Sequence, residues 1–191
     1  LDQTVNALRN PDHPYRRKLN ELFQHRVQVF QKEDLLQGAS FSPTVVREEL
    51  CIFVMSFASL RAKDKNKEGR KVYQENGQLA AFPSTYTSAT SLLEDRDETS
   101  LINVIRSLHP AVVLDESHNA ESDLSVDMLQ ILNPSIVLDL TATPRGNSNI
   151  VSMVPAIELK KEHMVKLPVI VYNHQDKTEV IDSALHLQRK L

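Results

Sequence analysis

Between Thr99 and Pro144 the spacing of apolar residues passes from helical to continuous, back to helical and to continuous again. Few folds accommodate that order. Leu101, Val104, Ile105 and Leu108 recur at helical spacing, Pro110 ends that helix, and the uninterrupted apolar run Ala111 to Leu114 predicts a fully buried strand. A second helix follows, with Leu124, Met128, Ile131 and Leu132 on one face. Ser122 or Asp123 serves as its cap and Asn133-Pro134 as its stop. Ile136-Val137-Leu138 then gives the next buried strand. Strand, helix and strand in this order make a crossover of a length that suits right-handed parallel pairing. The expected class is therefore α/β with a mostly parallel sheet.

The rest of the chain is less regular. Thr4 to Leu8 have helical spacing, Pro11 and Pro14 interrupt the chain, and Leu19, Leu22 and Phe23 predict another helix. Val27 and Val29 alternate as a strand does, and Leu50 to Phe57 are predicted as a strand. Arg61, Lys63, Lys65, Lys67, Arg70 and Lys71, diluted by Asp64 and Glu68, predict a solvated loop. Downstream, Ile157-Glu158-Leu159 precede Lys160-Lys161-Glu162, Leu167 to Tyr172 are strand-like, and Val180 to Leu191 predict a helix with Ile181, Leu185 and Leu187 as its apolar side.

A chain of 191 residues that is 41% hydrophobic is long enough for one real core. No apolar run approaches the roughly 20 residues that span a bilayer, and the first residues have no basic-then-apolar leader pattern, so no membrane partner and a cytoplasmic location are expected. Cys51, within Leu50 to Met55, is expected in the core of a protein from a reducing compartment. Lys and Arg number 22 against 25 Asp and Glu, a net charge of -3. That balance argues against a dedicated nucleic-acid-binding module but leaves room for one gripped by local groups. The missing initial methionine and an uncapped helix at Leu191 predict that both ends are cuts.

The chemistry gathers where strands end. The run Ala111 to Leu114 leads straight into Asp115-Glu116-Ser117-His118, at the carboxyl end of a predicted parallel strand, where ligands of α/β sheets bind. A nucleotide hydrolase needs an acid there to hold Mg2+, usually through water, and a second carboxylate within reach of the attacking water. Asp115 and Glu116 meet that need; the alternative is a surface turn. The next strand, Ile136 to Leu140, ends at Thr141-Ala142-Thr143-Pro144, so two polar loops are expected to leave neighbouring strands at one edge.

These paired motifs resemble those of the superfamily 2 helicases and translocases, in which a DExH motif is followed about two dozen residues later by a Ser/Thr-Ala-Thr motif. The resemblance covers Val112 to Arg145. Within that superfamily, VVLDESHNAES and LDLTATPRGNS look most like the Res subunit of type III restriction enzymes and related DEAD/DEAH-box proteins. The resemblance implies an incomplete RecA-like (P-loop NTPase) three-layer sandwich over residues 1–165. Residues 166–191 would then connect to a second RecA-like domain. It implies ATP and Mg2+ as cofactors, with Asp115 coordinating the metal through water and Glu116 orienting or activating water. His118 would sense the nucleotide, and Thr141 and Thr143 would couple hydrolysis to strand movement. The implied partners are DNA, with RNA left open, the second motor domain, and a methylase subunit of a restriction–modification system.

Two weaker resemblances extend this. Leu1-Asp2-Gln3 and the helix to Arg9 are similar to the segment after the family's motif Ia, and Val54 to Leu60 resemble its strand-end Thr-x-x-x-Leu element. Ser56 and Ser59 would then face nucleic acid, an ordinary strand-end turn being the alternative; Arg145 is a weaker candidate for phosphate. A phosphate loop of the form G-x-x-x-x-G-K-[ST] is missing, since Gly38, Gly69, Gly77 and Gly146 neither precede lysine nor pair at that spacing. The same residues support two rival readings. One is a catalytically inactive helicase-like interaction module. The other is a metal-dependent hydrolase built on Asp115, Glu116, His118 and His109. No nuclease pattern is visible.

Overall fold

The computed structural model describes residues 1–38, 40–60, 71–115, 123–141, 149–162, 164 and 176–188. The chain forms two compact units, Leu1–Arg145 and Gly146–Leu191. The first is mixed α/β, with two short sheets, each of two parallel strands. The expected junction at 165/166, the strand Leu167 to Tyr172 and the cationic residues 61–70 lie outside the described residues. Among those described, no helix is long and apolar enough to cross a membrane.

Helix α1 (Asp2–Arg9) carries an acid in its first turn and a base in its last, matching the helix dipole, and buries Val5. The Arg9 guanidinium donates to the Val29 carbonyl at 3.0 and 3.3 Å and to Asp34 at 2.6 Å, fastening α1 to the segment around residues 29–34. Pro14 opens α2 (Pro14–Leu22) instead of breaking the chain, because the first helical position needs no N–H. Strand β1 (Val27–Phe30) pairs in parallel with β2 (Leu50–Phe53), joined by α3 (Lys32–Leu36) and α4 (Pro43–Glu48). Neither connecting helix was expected. Each is too short to show a period, and each is set by its cap: Asp34 accepts from the Gln31 N–H, and the Ser42 hydroxyl accepts from the Val45 N–H. β2 stops at Phe53 rather than Phe57, because the chain turns into α5 (Phe57–Leu60).

The core lies within the first unit. The Phe41 ring sits 5.5 Å from Phe30, 5.5 Å from Phe53 and 4.8 Å from Phe82, in the tilted and edge-on geometries aromatic rings prefer. Three 3-10 turns, Lys71–Tyr73, Gly77–Leu79 and Pro83–Thr85, bring Val72, Leu79 and Phe82 to it. Its centre is α6 (Leu101–Ser107), in which Leu101, Ile102, Asn103, Val104 and Ile105 are all buried, not only the face its spacing marks. The helix ends before Pro110, through a left-handed residue at His109 (φ 46°).

Asn103 is the polar exception inside this core. Its amide oxygen accepts from the Leu93 N–H at 2.8 Å, and its Nδ2 donates to the carbonyls of Leu93, Arg96 and Asp97 at 3.0 to 3.3 Å. Arg106, one turn on, donates to the carbonyls of Ser91, Gln130 and Ile131. It thereby satisfies carbonyls in the last turn of α7 (Asp123–Leu132), which buries Met128 and Leu132 against the core.

α7 connects β3 (Ala111–Asp115) to β4 (Ile136–Leu140), and the two strands pair in parallel as expected. Their burial is not as expected. Leu114 is 8% exposed, but Val113, Ile136, Leu138 and Leu140 are 60, 62, 47 and 50% exposed. Alternation and register put these four on one face, with Leu114 and Asp139 on the other. An unbroken apolar run announces cover on both faces; this two-stranded sheet is covered mainly on one.

In the second unit, α8 (Ala156–Lys161) ends on Lys160 and Lys161, and α9 (Lys177–Gln188) begins three residues earlier than its spacing predicts. No described side chain of this unit is fully buried.

Replacing Asn103 with Ala removes the acceptor of the Leu93 N–H and the side-chain donor to the Arg96 carbonyl, while the Leu93 and Asp97 carbonyls keep the N–H groups of Arg96 and Ser100, and should lower unfolding free energy by about 2 kcal/mol. Urea denaturation of both proteins checks this; an unchanged midpoint would show that water replaces the amide.

Candidate functional site at the carboxyl edge of β3 and β4

The register from Ala111↔Ile136 to Asp115↔Leu140 decides the site's geometry. Parallel strands end at the same edge, so Asp115 sits beside Leu140, roughly 5 Å across the ladder, and Thr141 is the next residue out. Asp115 is exposed and Thr141 half-buried. The accessible Asp115 carboxylate suits an outer-sphere hold on a hydrated cation. Glu116, Ser117, His118, Thr143 and Arg145 lie outside the described residues. Asp139, which no sequence pattern singled out, has one buried carboxylate oxygen without a hydrogen-bond partner among the described residues. By alternation it belongs to the face opposite Asp115.

Ser56 and Ser59 lie past the carboxyl end of the other sheet. The Ser59 N–H donates to the Ser56 carbonyl at 3.0 Å and lies 3.2 Å from its hydroxyl oxygen, while the Ser59 hydroxyl donates to the Ser56 carbonyl at 2.7 Å. The pair thus builds the turn that starts α5. Because a hydroxyl has one proton, Ser59 spends its own inside this turn, whereas the Ser56 hydroxyl only accepts there. Of the two, Ser56 keeps its hydroxyl proton for an acceptor outside the turn.

His109 is at the other end of β3. Its Nδ1 lies 3.1 Å from Asn133 Nδ2 and 3.3 Å from the Asn133 carbonyl, at the turn that precedes β4. Four strand steps, about 13 Å, separate Ala111 from Asp115. His109 therefore cannot share a metal ion with Asp115. No group of three or more metal-binding side chains occurs among the described residues.

Cys51, in β2, is half-buried and packs against the core from its margin. Burial, and then the Glu49 charge, push its thiol up to about 11. At neutral pH it is protonated and no nucleophile. Below pH 9 the folded protein should react with a thiol reagent about a hundredfold more slowly than the unfolded chain, on thiolate fraction alone. Because the fold binds this proton more tightly, its stabilising effect is complete below the unfolded value near 9 and is lost as pH rises through about 11. Labelling rates with and without denaturant read the first effect; equal rates would contradict it.

Compared with known proteins, the chain matches no family model, no curated protein and no solved structure, so its chemistry is read from the β3–β4 edge and the residues that leave it.

Proposed function

We propose that the chain is part of the first motor domain, an incomplete RecA-like sandwich, of an ATP-dependent nucleic-acid helicase or translocase resembling the Res subunit of type III restriction enzymes. The observation that supports this reading is the parallel register that ends β3 at Asp115 and β4 just before Thr141. A DExH strand and a Ser/Thr-Ala-Thr strand work only if their ends lie together at the edge where nucleotide binds. The chain's contribution is then specific. Asp115 holds Mg2+ through water, Glu116 accepts the proton of the attacking water, and Thr141 and Thr143 bridge that site to movement of the bound strand. His118 reports nucleotide state to the second motor domain. DNA is the favoured substrate.

The metal-dependent hydrolase is the weaker reading, because His109 lies at the wrong edge. The inactive helicase-like module differs from the motor in one respect only: whether a phosphate loop accompanies these residues in the full-length protein. No such loop occurs among the 191 residues.

Two outcomes are expected. The 191-residue chain by itself hydrolyses no ATP, with or without DNA; DNA-stimulated turnover from it would overturn the assignment of the phosphate loop to another segment. In the full-length protein, Glu116→Gln keeps nucleotide binding and slows turnover by about 10^2- to 10^4-fold, because the amide preserves shape but cannot take the proton. Steady-state ATPase rates beside nucleotide affinity measure this, and wild-type turnover in the variant sinks the motor reading.

A further inference from the structure

The start of the chain carries a surface that neither the DExH edge nor the core uses. An open groove of about 620 Å³ is lined by Gln3, Asn6, Ala7, Arg9 and Asn10 of α1 and its C-terminal cap, and by His13 at the head of α2. Residues 3, 6, 7 and 10 share one helical face, so three amides surround the small Ala7. The Gln3 and Asn6 side chains make no hydrogen bond among the described residues, and Asn10 uses only its oxygen, which accepts from the Asp12 N–H at 3.0 Å. His13 Nδ1 accepts from the Tyr15 N–H at 3.3 Å, so in the neutral ring the proton sits on Nε2. The groove is therefore rich in donors.

An aromatic platform and positive charge stand beside it. Tyr15 is 68% exposed, its ring edge-on to His13 with centroids 4.9 Å apart. Arg16, Arg17 and Lys18 come directly after it. Arg16 is turned inward, onto the carbonyls of Leu8 and Val27. Arg17 is exposed and spends Nε and Nη2 on the Asp12 carbonyl, which leaves it further donors. Lys18 makes only a solvent-exposed pair with Glu21, of the kind that contributes little. Of the four cations among residues 1–18, Arg9 is paired with Asp34 and Arg16 is turned inward, which leaves Arg17 and Lys18 on the surface next to Tyr15. This corner thus offers two cationic side chains beside one exposed ring.

We infer that this corner binds single-stranded nucleic acid: a base stacks on Tyr15, the amides of Gln3, Asn6 and Asn10 meet base edges in the groove, and Arg17 and Lys18 face the backbone. An exposed aromatic ring next to cations is the pairing that single strands require, stacking for the base and charge for the phosphates. Side-chain amides both donate and accept, as base edges do. The inference rests on the nucleic-acid partner proposed above, but on none of the residues of the ATP site.

The test is fluorescence anisotropy of the 191-residue chain with a labelled single-stranded oligonucleotide of about a dozen nucleotides. No nucleotide cofactor is added, so the result is independent of ATP turnover. Tyr15→Ala should weaken binding roughly tenfold or more, and Tyr15→Phe should restore it, because stacking needs the ring and not the hydroxyl. Arg17→Ala with Lys18→Ala should lower the slope of log affinity against log salt by about 1.4, since each contact to a single strand contributes about 0.7. Lys160→Ala with Lys161→Ala, in the second unit, should change neither. Unchanged affinity in Tyr15→Ala overturns the inference. So does an oligoglutamate peptide that competes as well as the oligonucleotide, which would make the corner a site for acidic protein segments. An ATPase-negative full-length protein that still shows the Tyr15 effect would sink the motor reading alone.

Discussion

Helix α6 is the member on which the first unit depends. Leu101, Ile102, Asn103, Val104 and Ile105 are buried in succession, so this helix has no solvated side along that stretch and must be packed all round. The 3-10 turn at Val72, the aromatic group around Phe41 and the Met128–Leu132 end of α7 all belong to the same core. A helix so enclosed can hold a polar residue only if each of its hydrogen-bonding groups is met. Asn103 satisfies that condition with the backbone of Leu93, Arg96 and Asp97, converting an irregular segment into a fixed wall.

From that wall the site is reached in few steps. Arg106 joins α6 to the final carbonyls of α7, and α7 leads through the left-handed Asn133 into β4. Left-handed His109 leads into β3 in the same way, and the two meet through the His109 ring. The amino-terminal edge of the sheet is thus a structural junction, and the carboxyl edge carries exposed Asp115, with Thr141 as the first residue past β4. One pair of strands separates the two edges by its length. The proposed single-strand contact around Tyr15 belongs to another part of the surface and another kind of chemistry, stacking and charge rather than metal and water.

Legibility in the sequence tracked regularity. The crossover from Ala111 to Leu140 has long periodic runs, and its helix, both strands and their direction were readable from them. α3 and α4 were not, since helices of five and six residues are set by a single cap, Asp34 or Ser42, and have no period to detect. Leu79 and Phe82 are core residues isolated among turn formers, so nothing in their spacing marks them. The Tyr15-Arg16-Arg17-Lys18 run was present in the sequence, but a negative total charge and a helix-breaking reading of Pro14 hid it.

The sequence by itself determined the order of elements: the apolar runs that end at Asp115 and Leu140 are strands, with a helix between them, because side-chain type and order suffice to say so. Only the tertiary structure decided which strand ends share an edge, that His109 faces away from Asp115, and that the apolar runs of β3 and β4 leave Val113, Ile136, Leu138 and Leu140 open on one face. The reason is physical. Local pattern controls which side of an element is apolar, whereas register and cover depend on elements far apart in the chain, whose meeting is governed by packing around α6.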